Sequence, residues 1–100
     1  MTKKISMTHP GIILREGFFA AMGITQTAAA EATGIPQSRL SEILAGRRSI
    51  TVDTAARLGR FFAVDARNWL NLQVTYDLWK LGSEHGPELR RVRRATTLVA

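Results

Sequence analysis

The sequence predicts an all-α fold of five helices, and three observations carry that expectation. Apolar residues recur at helical spacing in successive segments of the 100-residue chain. Glycine and proline punctuate those segments at Pro10, Gly23, Gly34, Pro36 and Gly46, where helices start or stop. Residues that cap helix N-termini stand in front of them, among them Thr25, Thr51 and Asp65.

The first helix is expected to start at His9-Pro10-Gly11, with Thr8 as a possible cap and Pro10 fixing φ in the first turn. Over 12–22 the pattern IILREGFFAAM puts Leu14, Phe18, Ala21 and Met22 on one inward stripe. Gly17 inside this helix costs on the order of 1 kcal/mol relative to alanine. Gly23 ends it.

Residues 25–46 then divide at Gly34 into two short helices. Ile24 and Thr25 form a hydrophobic residue and hydroxyl cap at the start, and Gly34 supplies the left-handed stop. The second helix opens with Pro36 in its first turn and ends at Gly46. Two helices joined by so tight a turn must cross steeply, and Ala30 is small enough to let them approach. This is a helix-turn-helix. On the second helix Leu40, Ile43 and Leu44 form the inward stripe. The opposite face carries Ser38, Arg39, Ser41, Glu42 and Ala45, with Gln37 at its exposed end. Those side chains are short, polar and able to hydrogen-bond base edges, whereas a merely solvated helix more often carries long Lys and Glu. The plainer alternative is an ordinary helical hairpin in a bundle.

Arg47 and Arg48 leave the second motif helix. They fit either a solvated loop or contacts to phosphates flanking a groove-bound helix, and Arg39 adds charge on the same side. The fourth helix is expected from about Val52 to Phe62, with Val52, Ala55, Ala56, Gly59 and Phe62 inward and Asp53–Arg57 as an exposed i,i+4 pair. The fifth, over 66–81, has two apolar stripes: Trp69, Leu72, Tyr76 and Trp79 on one side, Leu70, Val74, Leu78 and Leu81 on another. Two stripes imply either burial between helices of the same chain or a face that meets another subunit or partner. Residues 82–87, GSEHGP, read as a break. The basic tail after them, with Arg90, Arg91, Arg93 and Arg94, fits a short helix, a strand added to a partner, or disorder. The expected organisation is a flexible N-terminus at 1–8, a domain at 9–81 and a C-terminal tail at 82–100.

Fourteen basic residues against eight acidic ones give a net charge of +6, and eleven of the fourteen are arginine. Arginine suits bidentate phosphate and guanine contacts, so an anionic partner is the sharper reading and simple solubility the plainer one. Without cysteine there is no disulfide or thiol catalysis. No apolar run approaches the ~20 residues of a membrane span, and no signal-peptide core precedes the domain, so a cytoplasmic location is expected. His9 and His85 stand alone without paired carboxylates at ligand spacing, and phosphate-loop, nucleophile-elbow and dinucleotide motifs are absent. We therefore expect no enzyme activity, no cofactor and no metal. RNA binding is disfavoured, because the basic face lacks aromatic stacking platforms.

The stretch 26–45 resembles the helix-turn-helix of the lambda-repressor/Cro-like (XRE) superfamily. Four blocks resemble HigA antitoxins more narrowly: His9-Pro10-Gly11, IPQSRLSEILAGRRSIT, Asp53-Thr54-Ala55 with Arg57-Leu58, and NWLNLQVTYDL from Asn68 to Leu78. Together they cover most of residues 9–80. The chain departs from the family's usual Glu or Met after HPG, having Ile12. The resemblance implies a five-helix lambda-repressor-like DNA-binding domain and a homodimer on double-stranded operator DNA that represses its own promoter. It also implies neutralisation of a HigB/RelE-like ribonuclease toxin; the alternative is a solitary XRE-family regulator without a toxin. By position, Gln37, Ser38, Arg39 and Glu42 fall where the superfamily reads bases, Arg39 also within reach of a phosphate. Thr25, Gln26, Arg47 and Arg48 fall where it contacts phosphates. Trp69, Leu70, Val74, Leu78 and Leu81 are the expected dimer or partner interface, a region placed by the apolar stripes of the fifth helix.

Overall fold

A computed structural model describes residues 7–99; most of the expected flexible N-terminus, residues 1–6, and the last residue lie outside the described part. Five α-helices follow one another, with no strand among the described residues: α1 (Pro10–Leu14), α2 (Gln26–Thr33), α3 (Gln37–Leu44), α4 (Val52–Phe62) and α5 (Ala66–Arg90). A 3₁₀ turn, Ala95–Thr97, closes the chain. The core gathers Leu14, Phe19, Ala29, Ile35, Leu40, Ile43, Leu44, Ile50, Ala55, Leu58 and Trp69 from all five helices and the loops between them.

Helix α1 continues without a break into a π-helical segment, Arg15–Ala20. The i→i+5 hydrogen bonding of that segment rotates the side chains away from a 3.6-residue repeat. The inward stripe expected from that repeat is corrected accordingly. Phe19 is buried, while Ala21 is exposed and Met22 is 61% exposed. Leu14 is fully buried, as the pattern required, and Phe18 is half-buried against the core.

His9, not Thr8, caps this helix: its Nδ1 accepts the Gly11 N–H at 2.9 Å. Gly11 is where α1 crosses α3. A Cβ built there would overlap the Ile43 carbonyl oxygen, so only glycine permits this approach of backbone to backbone. The HPG block is therefore a device for seating α1 on the second motif helix.

Helix α4 is capped by Thr51. Its buried face is Thr54, Ala55, Leu58 and Gly59, shifted round from the expected stripe: Val52 is 71% exposed and Ala56 lies outside. The shift is permitted because the buried Thr54 hydroxyl finds a partner in the Thr51 hydroxyl at 3.2 Å. Gly59 allows α4 and α5 to close up, since a Cβ there would lie 2.6 Å from the Val64 carbonyl oxygen. Phe62 then packs against Phe18, Phe19 and Trp69, with ring centroids 5.1, 5.6 and 6.3 Å away, joining α1, α4 and α5.

Helix α5 is capped by Asp65, whose carboxylate accepts the Arg67 N–H at 2.8 Å. It does not stop at residue 81. The segment 82–87 is helical apart from one kink at His85 (φ −127°, ψ 23°), and the helix runs on to Arg90. Pro87 accounts for both facts. Its ring and missing N–H disrupt the preceding turn, yet the same ring is compatible with the first turn of the helix that resumes.

Candidate nucleic-acid interface

The motif is built from the turn outward. The Thr25 hydroxyl accepts the Ala28 N–H at 3.1 Å, which starts α2. At its other end Gly34 adopts φ 76° and its N–H closes on the Ala30 carbonyl at 2.9 Å. Thr33 ties the turn from inside: its hydroxyl donates to the Ala29 carbonyl at 2.7 Å and accepts the Ile35 N–H at 3.2 Å. The Thr33 carbonyl in turn takes a hydrogen bond from the Arg57 guanidinium at 2.9 Å, while Asp53 holds the Arg57 Nε at 3.1 Å. The Asp53–Arg57 pair thus does more than decorate α4. It anchors the turn to that helix. Ile35 fills the core behind the turn, and Pro36 stands at the N-cap of α3, one position before the first helical turn.

With Leu40, Ile43 and Leu44 fully buried, the rest of α3 is forced outward. Gln37, Ser38, Arg39 and Ser41 are exposed, and Glu42 and Ala45 are half-buried at the edge of the same face. The four expected readers therefore share one accessible face. Two of them are held by neighbours. Gln37 Nε2 donates to the Thr27 hydroxyl of α2 at 3.2 Å, and the Glu42 carboxylate pairs with Arg48 Nε at 2.8 Å. Arg48 and Glu42, drawn from the phosphate and base groups respectively, are partners of one another. Arg47 is exposed and has no carboxylate within salt-bridge distance among the described residues. Thr25 accepts the Ala28 N–H at the helix cap but keeps a hydroxyl proton to donate, and Gln26 beside it is half-buried.

The loop that carries the two arginines is fixed from behind by a residue the sequence reading did not single out. The buried Gln73 of α5 accepts the Ile50 N–H at 2.8 Å and donates to Asp77 at 2.9 Å. A signal was present: Gln73 lies four residues after Trp69, on that helix's apolar stripe, where a polar side chain must find partners. Tyr76, Asp77 and Lys80 of α5 line a shallow cleft together with His9, Arg47, Arg48 and Ser49. His9 and Tyr76 meet edge to face with ring centroids 5.0 Å apart.

The expected interface divides. Trp69 is 2% exposed, sealed in the chain's own core against Phe18, and so cannot face a partner. Leu70 packs half-buried against that core. Val74, Leu78 and Leu81 form an exposed stripe, 54%, 64% and 41% open to solvent.

Residues 15–69 match the family described as helix-turn-helix. The Pseudomonas aeruginosa antitoxin HigA, solved with the higBA promoter, superimposes with a TM-score of 0.82 at 32% identity, covering 88% of this chain and 97% of that one. The chain belongs to the HigA-like helix-turn-helix family. Another member, the antitoxin GraA in complex with its operator, gives a TM-score of 0.82 at 36% identity over 99% of this chain and 100% of that chain. A third similar protein, virulence-associated protein I of Dichelobacter nodosus, is 50% identical over 70 residues, 70% of this chain; the match spans 65% of that protein's length. The XRE-type, all-helical fold expected from the motif is the fold this HigA-like chain has.

Proposed function

We propose that this chain is a sequence-specific DNA-binding antitoxin of the cytoplasm. It acts as a homodimer on double-stranded operator DNA, represses its own operon and neutralises a HigB/RelE-like ribonuclease toxin by direct binding. The observation that carries the DNA part is the outward face of α3, whose short polar side chains stand clear of the core beside Arg47, which has no carboxylate partner among the described residues. The HigA and GraA structures with promoter and operator DNA support the same reading.

In mechanism, each protomer lays α3 into the major groove. Gln37, Ser38, Arg39 and Glu42 meet base edges, and Thr25, Gln26, Arg47 and Arg48 meet the flanking phosphates. Two protomers joined through the Val74, Leu78 and Leu81 stripe, with Leu70 at its edge, address half-sites about 34 Å apart on an inverted repeat. Each good base contact discriminates by ~1–3 kcal/mol, while the arginines supply salt-dependent affinity.

The test is co-expression with the product of the neighbouring reading frame. Co-purification, and loss of that product's RNA cleavage on mixing, is the expected result. A chain that binds its upstream DNA but has no toxin-like neighbour, or leaves the neighbour's cleavage untouched, is a solitary regulator instead.

A further inference from the structure

Four of the six net positive charges of the chain lie in its last eleven residues, on Arg90, Arg91, Arg93 and Arg94, with no acidic residue after Glu88. One of the four has a structural role. Arg90, in the last turn of α5, folds back over Gly86, where a Cβ would meet its guanidinium at 3.1 Å. A cation there also suits the negative end of the helix dipole. That account does not extend to the other three. Arg91 is the C-cap, and Arg93 and Arg94 lie beyond the helix, where the dipole is already screened.

All three are exposed, and none has a carboxylate within salt-bridge distance among the described residues. The nearest acid in sequence, Glu88, is engaged by His85 at 3.3 Å. From Arg94 onward the backbone is closed into a turn. Both the N–H and the hydroxyl of Thr97 donate to the Arg94 carbonyl, at 3.0 and 2.7 Å. The route of α5 connects this cluster to the site. The helix passes the Arg47–Arg48 loop at Lys80, and ten further residues, with the kink at His85 between them, carry the chain at most about 15 Å on. That distance corresponds to roughly four base pairs along a duplex.

We infer that Arg91, Arg93 and Arg94 are a second, sequence-independent contact to the phosphate backbone of duplex DNA, outside the segment covered by the helix-turn-helix. Arginine suits this role through its planar, permanently charged fork. Single-stranded RNA fits less well, because no Phe, Tyr or Trp follows Trp79 to stack on its bases. The inference rests on the DNA-binding reading above, but its contact needs no operator.

It is tested with the full-length protein on mixed-sequence duplexes of about 15 and 40 base pairs and on a single-stranded RNA of the longer length, titrated across a salt series. The variants are the triple substitution Arg91→Gln, Arg93→Gln, Arg94→Gln and, separately, Arg47→Ala. The triple variant should flatten the salt slope on the long duplex by about two to three, at ~0.9 per lost phosphate contact, and leave the short duplex nearly unaffected. Its thermal unfolding should match the parent, since these side chains are exposed. An unchanged slope and affinity on the long duplex overturns the inference, as does a larger loss on the RNA than on the duplex. Should the Arg47→Ala change be silent while the triple variant loses affinity, the tail contact stands and the helix-turn-helix grip is the reading that fails.

Discussion

Single residues decide what α3 offers to DNA. Glu42 and Arg48 are bonded to one another at 2.8 Å, so removing Arg48 also frees the carboxylate that it orients. On a panel of singly substituted operator duplexes, Arg47→Ala should weaken all members alike. Arg48→Ala should in addition alter discrimination at the base pair facing Glu42; uniform weakening by both would show that the pair has no part in readout. As a half-exposed pair it contributes little to folding, about 0–1 kcal/mol.

His9 carries a pH dependence. Its Nδ1 must be unprotonated to accept the Gly11 N–H, and burial lowers its pKa below the ordinary 6.5, with Asp77 opposing and Lys80 reinforcing that shift. As pH falls below 6.5 the unfolded chain takes up the proton first, so this contribution to stability, complete above that value, declines and then levels off below the folded-state pKa. Replacing His9 with Asn keeps an acceptor for the cap and should flatten that part of the stability profile. Equal slopes for both proteins in denaturant unfolding between pH 8 and 5 would contradict the assignment.

At the scale of elements, the loop 46–50 is only as well placed as Gln73 makes it. Gln73→Leu leaves the buried Ile50 N–H without its acceptor, a cost of about 1–3 kcal/mol in chemical denaturation. It should also reduce DNA affinity, because Arg47 and Arg48 ride on that loop. A variant as stable as the parent would mean that the tether is dispensable.

The helices themselves were legible in the sequence where caps and apolar spacing agreed. Thr25, Gly34 and the Leu40, Ile43 and Leu44 stripe appear in the structure as their chemistry requires. Legibility failed where the period changed. The π-helical turn at Arg15–Ala20 moved Phe19 inward and left Met22 outside, and nothing in IILREGFFAAM marks it. It failed again at 82–87, where Gly82, Gly86 and Pro87 read as a stop but produce a kink, since proline is tolerated in the first turn of the resumed helix. In the candidate site, the outward residues of α3 could be read from the helical repeat. Their intramolecular partners Thr27 and Arg48 could not, because pairing across 6–10 residues depends on how the two helices and the loop meet.

For the whole molecule, the exposed Val74, Leu78 and Leu81 stripe is the surface through which we propose that two copies pair. Leu78 is 64% exposed, so a charge there is well solvated in the protomer and unfavourable only in an apolar interface. Leu78→Glu should therefore leave thermal stability of the isolated protomer intact, halve the mass measured in solution and weaken operator binding by uncoupling the half-sites. An unchanged mass would move the interface elsewhere. The central claim, that the outward face of α3 reads sequence, is tested most directly by titrating the protein against the duplex immediately upstream of its own reading frame and against a shuffled duplex, with and without Gln37→Ala. The account predicts a preference for the upstream duplex that falls by ~1–3 kcal/mol in the variant. Identical affinity and preference for parent and variant would contradict it.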